Sequence, residues 1–118
     1  MRTREELLKA LVSFSEPVNS LMQEIREYDW DCEEELIILK PENIQYVLNL
    51  FLCGSISEVE VRAWANAIER REDIGLLESH KETLDEMVFW LANPEINYPI
   101  NHELANRIVS NLQNNISI

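Results

Sequence analysis

The sequence predicts an all-α protein: a compact bundle of four to five main helices around a central helix-Gly-helix hairpin. The 118 residues include only two glycines and four prolines, whereas an all-β domain of this size needs many more turn residues. The hydrophobic share of 46% is that of a globular protein, and apolar residues recur at helical spacing. We therefore predict one helical domain over residues 1–118, with a frayed tail at about 114–118.

The first segment, residues 4–27, is amphipathic and begins at a capping box formed by Thr3 and Glu6. Pro17 interrupts it, so the segment is either one kinked helix or two helices in line, with Ser15 as the N-cap of the second. We favour the kinked helix because the apolar spacing continues through the proline. That spacing is a short heptad pattern, which favours packing in the chain's own core over a coiled-coil dimer. Its members are Leu7, Leu11, Phe14, Val18, Leu21 and Ile25.

The stretch from Tyr28 to Lys40 is the hardest to assign. Its apolar run, Leu36 to Leu39, fits either a buried extended segment or a short helical turn, because periodicity cannot separate the two at this length. We favour an irregular connector. Just before it, residues 27–35 contain six acids and no base. Trp30 lies among them, either as a ring that plugs the core or as the tip of a recognition segment.

The central hairpin spans residues 41–73. Pro41 suits the first turn of a helix, and Gly54 is predicted to end that helix in a left-handed conformation. The chain then restarts at a capping box of Ser57 and Glu60. The first helix of the hairpin carries an apolar face of Ile44, Val47, Leu48 and Phe51. The second helix of the hairpin carries an apolar face of Val61, Trp64, Ala65 and Ile68.

Three residues of this region are candidate structural anchors. We predict that Trp64 is buried and that its indole N–H bonds a carbonyl or side-chain partner. The charged run from Glu69 to Asp73 is either a solvated face or the place of a buried anchor, in which Arg71 pairs with a carboxylate of another segment. Asp73, at the end of this run, is the third candidate anchor. Gly75 is predicted to terminate the helix.

Two more helices are predicted in the C-terminal part. The first ends near Asn93, because a proline disfavours helical geometry in the residue before it. Asn101 is the expected N-cap of the last helix, which carries Leu104, Ile108, Val109 and Leu112. The predicted core consists of Leu48, Phe51, Trp64, Ile68, Leu84, Val88, Leu91 and Ile108.

The net charge of −12 is the strongest compositional feature. It argues against nucleic acid and anionic membranes as partners, because both are bound through clustered Lys and Arg. The sequence has no run of 18 apolar residues and no recognisable signal peptide, so we expect a cytoplasmic protein. In that compartment Cys32 and Cys53 should stay reduced. Cys53, next to Leu52, is expected in the core.

Motifs that would indicate catalysis do not stand out. Two glycines cannot build a Gly-rich phosphate loop. His80 and His102 belong to no zinc or di-iron pattern, and neither cysteine has a histidine at a diagnostic spacing. We therefore predict no cofactor, no metal site and no enzymatic activity.

The residues GSISEVEVRAWANAIERREDI, from Gly54 to Ile74, resemble a group of small uncharacterised bacterial proteins. That group shares a G-x-I-S-x-x-x-V-x-x-W-A-N-x-I-E-x-R-x-D-I pattern and a later L-A-N-P-E, which corresponds here to Leu91–Glu95. The resemblance covers roughly residues 29 to 97 and implies a compact helical protein of bacterial origin. In size, acidity and helix content the chain is also similar to bacteriocin immunity proteins, which neutralise basic nuclease toxins through an acidic face.

These observations favour a protein-binding or regulatory domain, in the manner of an immunity-like inhibitor of a basic partner protein. Two alternatives are a structural homo-oligomer formed through the N-terminal helix and a small metal-dependent hydrolase. We expect a monomer or weak homodimer. An aromatic residue amid carboxylates has the composition of an interface hot spot, so the predicted docking edge consists of Glu27, Asp29, Trp30, Asp31, Glu33 and Glu34.

Overall fold

The computed structural model describes residues 3–27, 35–69, 71 and 73–116, with side chains through Leu112. These residues form six α-helices and one pair of short strands, which confirms the predicted helical bundle. The elements are α1 (Arg4–Val12), α2 (Val18–Ile25), β1 (Ile37–Leu39), α3 (Pro41–Leu52), α4 (Glu58–Ile68), β2 (Ile74–Leu76), a 3₁₀ turn (Glu78–His80), α5 (Lys81–Ala92) and α6 (His102–Ile116).

Local sequence signals set most helix ends as predicted. The Thr3 hydroxyl accepts from the Glu6 N–H over 3.1 Å, and the second capping box, at the start of α4, is also present. Pro41 is the first residue of α3, and Gly54 follows that helix with a φ of 84°. The Asn101 side chain accepts from the Leu104 N–H over 2.8 Å at the start of α6.

The predicted single kinked helix over residues 4–27 is wrong. The chain leaves helical geometry after Val12, Phe14 adopts a left-handed φ of 50°, and α2 begins only after Pro17. Pro17 has no N–H to donate and disfavours helical geometry in the residue before it, so the first helix cannot continue through it. Pro17 itself, and not Ser15, occupies the N-cap position of α2. Two separate helices therefore pack against each other, which raises the helix count to six.

Two further predictions fail at the strand pair. The favoured irregular connector is wrong at residues 37–39, where the extended alternative is confirmed: these residues form β1, which pairs in parallel with β2 so that Ile37 faces Ile74. Gly75 lies inside β2 and terminates no helix, since α4 already ends at Ile68. A side chain on Gly75 would collide with the ends of the Glu35 and Ile38 side chains. The glycine is therefore explained by close packing and not by a helix end.

The core draws buried apolar residues from all six helices and from both strands. The predicted core residues are buried with one exception, Phe51, which is half-buried and packs edge-on against the ring of His102. The prediction for Cys53 is wrong: α3 ends at Leu52, and the thiol lies exposed in the turn beyond it. The predicted heptad residues are buried within the chain itself, apart from Phe14, which is half-buried and lies between α1 and α2.

Candidate protein-binding surface

An open cleft of about 430 Å³ lies between α5 and the residue that follows α4. Four of its described lining residues are acids and the fifth is an aromatic. They are Glu69, Glu82, Asp85, Glu86 and Phe89. No Lys or Arg occurs among these lining residues, so the described part of the lining carries a single sign of charge.

Helical periodicity places four of these side chains on one face of α5. Glu82, Asp85, Glu86 and Phe89 recur three or four positions apart and therefore share a face. The opposite face packs into the core through Leu84, Met87, Val88 and Leu91. The acidic face is therefore the one that α5 presents to solvent.

Glu69 completes the cleft from the other side and is held in place by hydrogen bonds. Its N–H donates to the Ala65 carbonyl over 2.8 Å, at the end of α4. Its carboxylate Oε2 accepts from the side-chain amide of Asn93 over 2.9 Å. Asn93 is the C-cap of α5, so this bond fixes the Glu69 carboxylate beside that helix.

The acids on α5 repel one another. Like charges three or four residues apart on a helix destabilise it by about 0.2 to 0.5 kcal/mol per pair, and this applies to Glu82 with Asp85 and with Glu86. Phe89 lies among them with 40% of its surface exposed. A cationic ligand would relieve the repulsion and cover the ring.

The described acids of the cleft are not arranged as the ligands of a metal centre. Across the described part of the chain, no three or more His, Cys, Asp or Glu side chains are grouped so that they could hold a metal ion. Separate carboxylates suit separate ammonium or guanidinium groups, as on a basic protein.

A short loop follows α5. The carbonyl of Asn93 accepts from the Ile96 N–H over 3.3 Å and from the Asn97 side chain over 2.9 Å. Tyr98 packs edge-on against Trp90 of α5, with ring centroids 5.5 Å apart. The loop is therefore closed back onto the helix that forms the cleft.

The predicted docking edge lies almost wholly outside the described residues. Of its members, Glu27 is described: it is exposed and follows α2. The other members, Asp29, Trp30, Asp31, Glu33 and Glu34, fall within residues 28–34, which the structure does not describe. The docking edge therefore stays a prediction, and the structure does not join Glu27 to the α5 cleft.

The three candidate anchors are all in the described part of the chain. Trp64 is fully buried, and its Nε1–H donates to the Leu11 carbonyl over 2.7 Å, so its predicted hydrogen bond is confirmed. Arg71 forms a bidentate pair with Asp73, with Nε–Oδ1 and Nη2–Oδ2 distances of 2.9 and 3.0 Å. The carboxylate that pairs with Arg71 therefore belongs to a residue two positions further along the chain and not to another segment.

Asp73 is the centre of a larger contact that the sequence did not indicate. Its side chain is buried, and Arg4 of α1 approaches Oδ2 with its Nε at 3.4 Å. The Asp73 carbonyl accepts from the N–H groups of Leu36 and Ile37 over 2.8 and 3.3 Å. One residue therefore ties α1, the entry to β1 and the entry to β2 together.

Cys53 is an exposed free thiol in the turn between α3 and α4. Its Sγ lies 3.1 Å from the Ser55 Oγ. Hydrogen bonding from Ser55 lowers the pKa of Cys53, because it stabilises the thiolate.

The comparisons with known proteins gave no relative. No protein-family model matches the chain, and neither a curated protein nor a solved structure matches it. In the described ranges, no helix is both long and apolar enough to cross a bilayer.

Proposed function

We propose that this protein is a binding or regulatory domain whose acidic cleft receives a cationic segment of a partner protein. One observation carries the proposal: four carboxylates and a partly exposed phenylalanine line the same open cleft, with no basic side chain among the described lining residues. Carboxylates of one sign steer a basic partner towards the surface. The aromatic ring then offers apolar area to be buried.

The cleft geometry favours a macromolecular partner over a small metabolite. Small-molecule sites are concave, mostly apolar and bury most of their ligand. This cleft is open, and acids dominate its lining. A basic protein that lays a Lys- or Arg-bearing segment along α5 would fit it better. Such a complex would cover the partner's basic surface, which is how an immunity-like inhibitor would act.

The homo-oligomer alternative receives less support. It relied on the heptad residues of the N-terminal region, and these are buried in the core of the single chain, with Leu11 and Leu21 fully so. Residues that already pack inside one chain cannot also form the seam of a dimer. The docking edge predicted within residues 27–34 remains a second candidate site for the same function, and the test should separate the two.

The test is capture of partners by the immobilised protein from a lysate of its source cells at low salt, followed by affinity measurement with the purified captured protein. Three variants are compared with the parent. The cleft variant carries Glu82→Gln, Asp85→Asn and Glu86→Gln; the segment variant carries Asp29→Asn, Asp31→Asn, Glu33→Gln and Glu34→Gln. The control carries Glu5→Gln, Glu42→Gln and Glu58→Gln, which remove the same charge as the cleft variant from exposed sites on other helices.

We expect the captured protein to be basic and to bind the cleft variant at least tenfold more weakly than the control. A tenfold loss corresponds to about 1.4 kcal/mol. A selective loss in the segment variant would move the site to residues 29–34. Equal binding by all four proteins would refute a cationic partner at either surface.

A further inference from the structure

Carboxylates flank Phe89 on both sides along the axis of α5. Asp85 and Glu86 precede it by one helical turn and share its face. Because a helical side chain leans towards the preceding turn, the ring of Phe89 lies towards these two acids. On the C-terminal side, the Nδ2 of Asn93 donates to the Phe89 carbonyl over 3.0 Å and to Oε2 of Glu69 over 2.9 Å. One side-chain amide therefore holds the Glu69 carboxylate next to Phe89.

These groups are open to a ligand. Phe89 is 40% exposed and lines the cleft. Asp85 and Glu86 are exposed, and no described Lys or Arg forms an ion pair with either of them. Glu69 accepts a hydrogen bond from Asn93, and since a carboxylate has acceptor sites for about four hydrogen bonds, it can receive others.

A guanidinium group matches this arrangement better than an ammonium group. The guanidinium of arginine is planar, so its face stacks on an aromatic ring while its N–H groups donate sideways to carboxylates around that ring. The ammonium of lysine is a compact and strongly hydrated point charge. It is too small to reach carboxylates on two sides of a ring at once.

We infer that the cleft selects arginine over lysine, with the guanidinium stacked on Phe89 and hydrogen-bonded to Glu69 on one side and to Asp85 or Glu86 on the other. The inference rests on the proposed function and names the residue type through which the partner binds. It also goes further than the proposed function. Attraction between opposite charges favours any cation, whereas stacking combined with directed hydrogen bonds favours a planar one.

The test uses three short synthetic peptides whose cationic positions are separated by glycine and serine. The first peptide carries arginine at these positions, the second carries lysine, and the third carries citrulline, which has nearly the shape of arginine but no charge. Binding of each peptide to the purified protein is measured by fluorescence polarisation at low salt. We expect the arginine peptide to bind about threefold to fivefold more tightly than the lysine peptide. The citrulline peptide should bind most weakly.

Variants of Phe89 show whether the ring causes this preference. Phe89→Leu keeps an apolar side chain but removes the aromatic face, so the ratio of the two affinities should fall. Phe89→Trp should keep the ratio or raise it, because indole is the best aromatic partner for a cation. Phe89 is 40% exposed, so both substitutions are made outside the core.

A matched pair of single-charge variants tests Glu69. Glu69→Gln should weaken the arginine peptide more than the lysine peptide, because the guanidinium loses its carboxylate on one side of the ring. Glu42→Gln removes the same charge from an exposed position on α3. It should affect the two peptides alike.

The outcomes separate this inference from the proposed function. If arginine and lysine peptides bind equally, and the cleft variant weakens both relative to the charge-matched control, the arginine preference is wrong and the cationic cleft stands. If the preference persists unchanged in Phe89→Leu, or if Glu69→Gln and Glu42→Gln behave alike, the stacked and flanked guanidinium is wrong. If no peptide binds, or if the cleft variant and the control bind every peptide alike, both proposals are overturned.

Discussion

The indole Nε1–H of Trp64 donates to the carbonyl oxygen of Leu11 over 2.7 Å, a buried hydrogen bond between residues 53 positions apart. The same oxygen accepts from the Phe14 N–H over 3.1 Å, where α1 ends and the chain turns with a positive φ. This one carbonyl therefore joins α4 to the turn between α1 and α2. The ring of Trp64 fills the core around it.

Replacement of Trp64 should separate the contribution of its buried ring to stability from the contribution of its hydrogen bond to Leu11. Trp64→Ala should lower the free energy of unfolding by about 3 to 5 kcal/mol, because it leaves a large cavity. Trp64→Phe keeps most of the ring, and the Leu11 carbonyl keeps its bond from Phe14, so we expect a loss of about 1 to 2 kcal/mol. Urea denaturation measures both. A loss below about 1 kcal/mol for the alanine variant would mean that the ring does not fill the core.

Asp73→Asn should be strongly destabilising. The substitution removes the negative charge between Arg71 and Arg4 and leaves both guanidinium groups largely buried. Breaking a buried ion pair typically costs about 3 to 5 kcal/mol; we expect about 2 to 4, because both arginine side chains still reach water. Thermal or urea denaturation at neutral pH tests this.

The exposed pair of Arg62 and Glu95 is the matched control for Asp73. Both side chains are about half exposed, and such surface pairs contribute little. Glu95→Gln should therefore change the free energy of unfolding by less than about 0.5 kcal/mol. Similar effects of the two substitutions would contradict a central role for Asp73.

The helix ends could be predicted from the sequence because they depend on local interactions. The capping boxes at Thr3 and Ser57 and the left-handed Gly54 each depend on a few neighbouring residues, and each is found where expected. The strand pair depends on contacts between residues 37–39 and 74–76. Strands of three residues are too short for periodicity to reveal. The contact between Arg4 and Asp73 was not predicted because it also joins distant parts of the chain, and nothing near Arg4 in the sequence indicates Asp73.

The candidate surface was only partly visible in the sequence. Glu82, Asp85, Glu86 and Phe89 have the spacing of one helix face, but acids are so frequent in this chain that the spacing did not stand out. The position of Glu69 beside them follows from how α4 and α5 pack and from its bond to Asn93. Tertiary packing, and not local pattern, assembles the cleft.

The two glycines should respond differently to substitution by alanine. Gly54 has a φ of 84°, a conformation that costs residues with a Cβ about 1 to 2 kcal/mol. Gly54→Ala should lower the free energy of unfolding by about that amount, and Gly54→Asn by less, since Asn tolerates this region better. At Gly75 the atoms nearest to an added Cβ belong to the movable ends of the Glu35 and Ile38 side chains. Urea denaturation of Gly75→Ala should therefore show the smaller loss; the reverse order would contradict this assignment.

The Cys53 thiol should react readily in the folded protein. Cys53 is exposed, and the hydrogen bonds from Ser55 lower its pKa, so a larger fraction is thiolate at neutral pH than for an ordinary exposed thiol. The thiolate is the nucleophile. In a Cys32→Ser background, iodoacetamide should therefore alkylate Cys53 without prior unfolding.

The pH dependence of this reaction tests the role of Ser55. Ser55→Ala removes the largest contribution that lowers the pKa of Cys53, so the pKa should rise and alkylation at pH 7 should slow. As the pH is raised, the thiol in both proteins becomes fully ionised, and the two rates should converge. Mass spectrometry of samples quenched at intervals gives the rate at each pH. Superimposable rate profiles for the Ser55→Ala protein and its parent would show that Ser55 does not stabilise the thiolate.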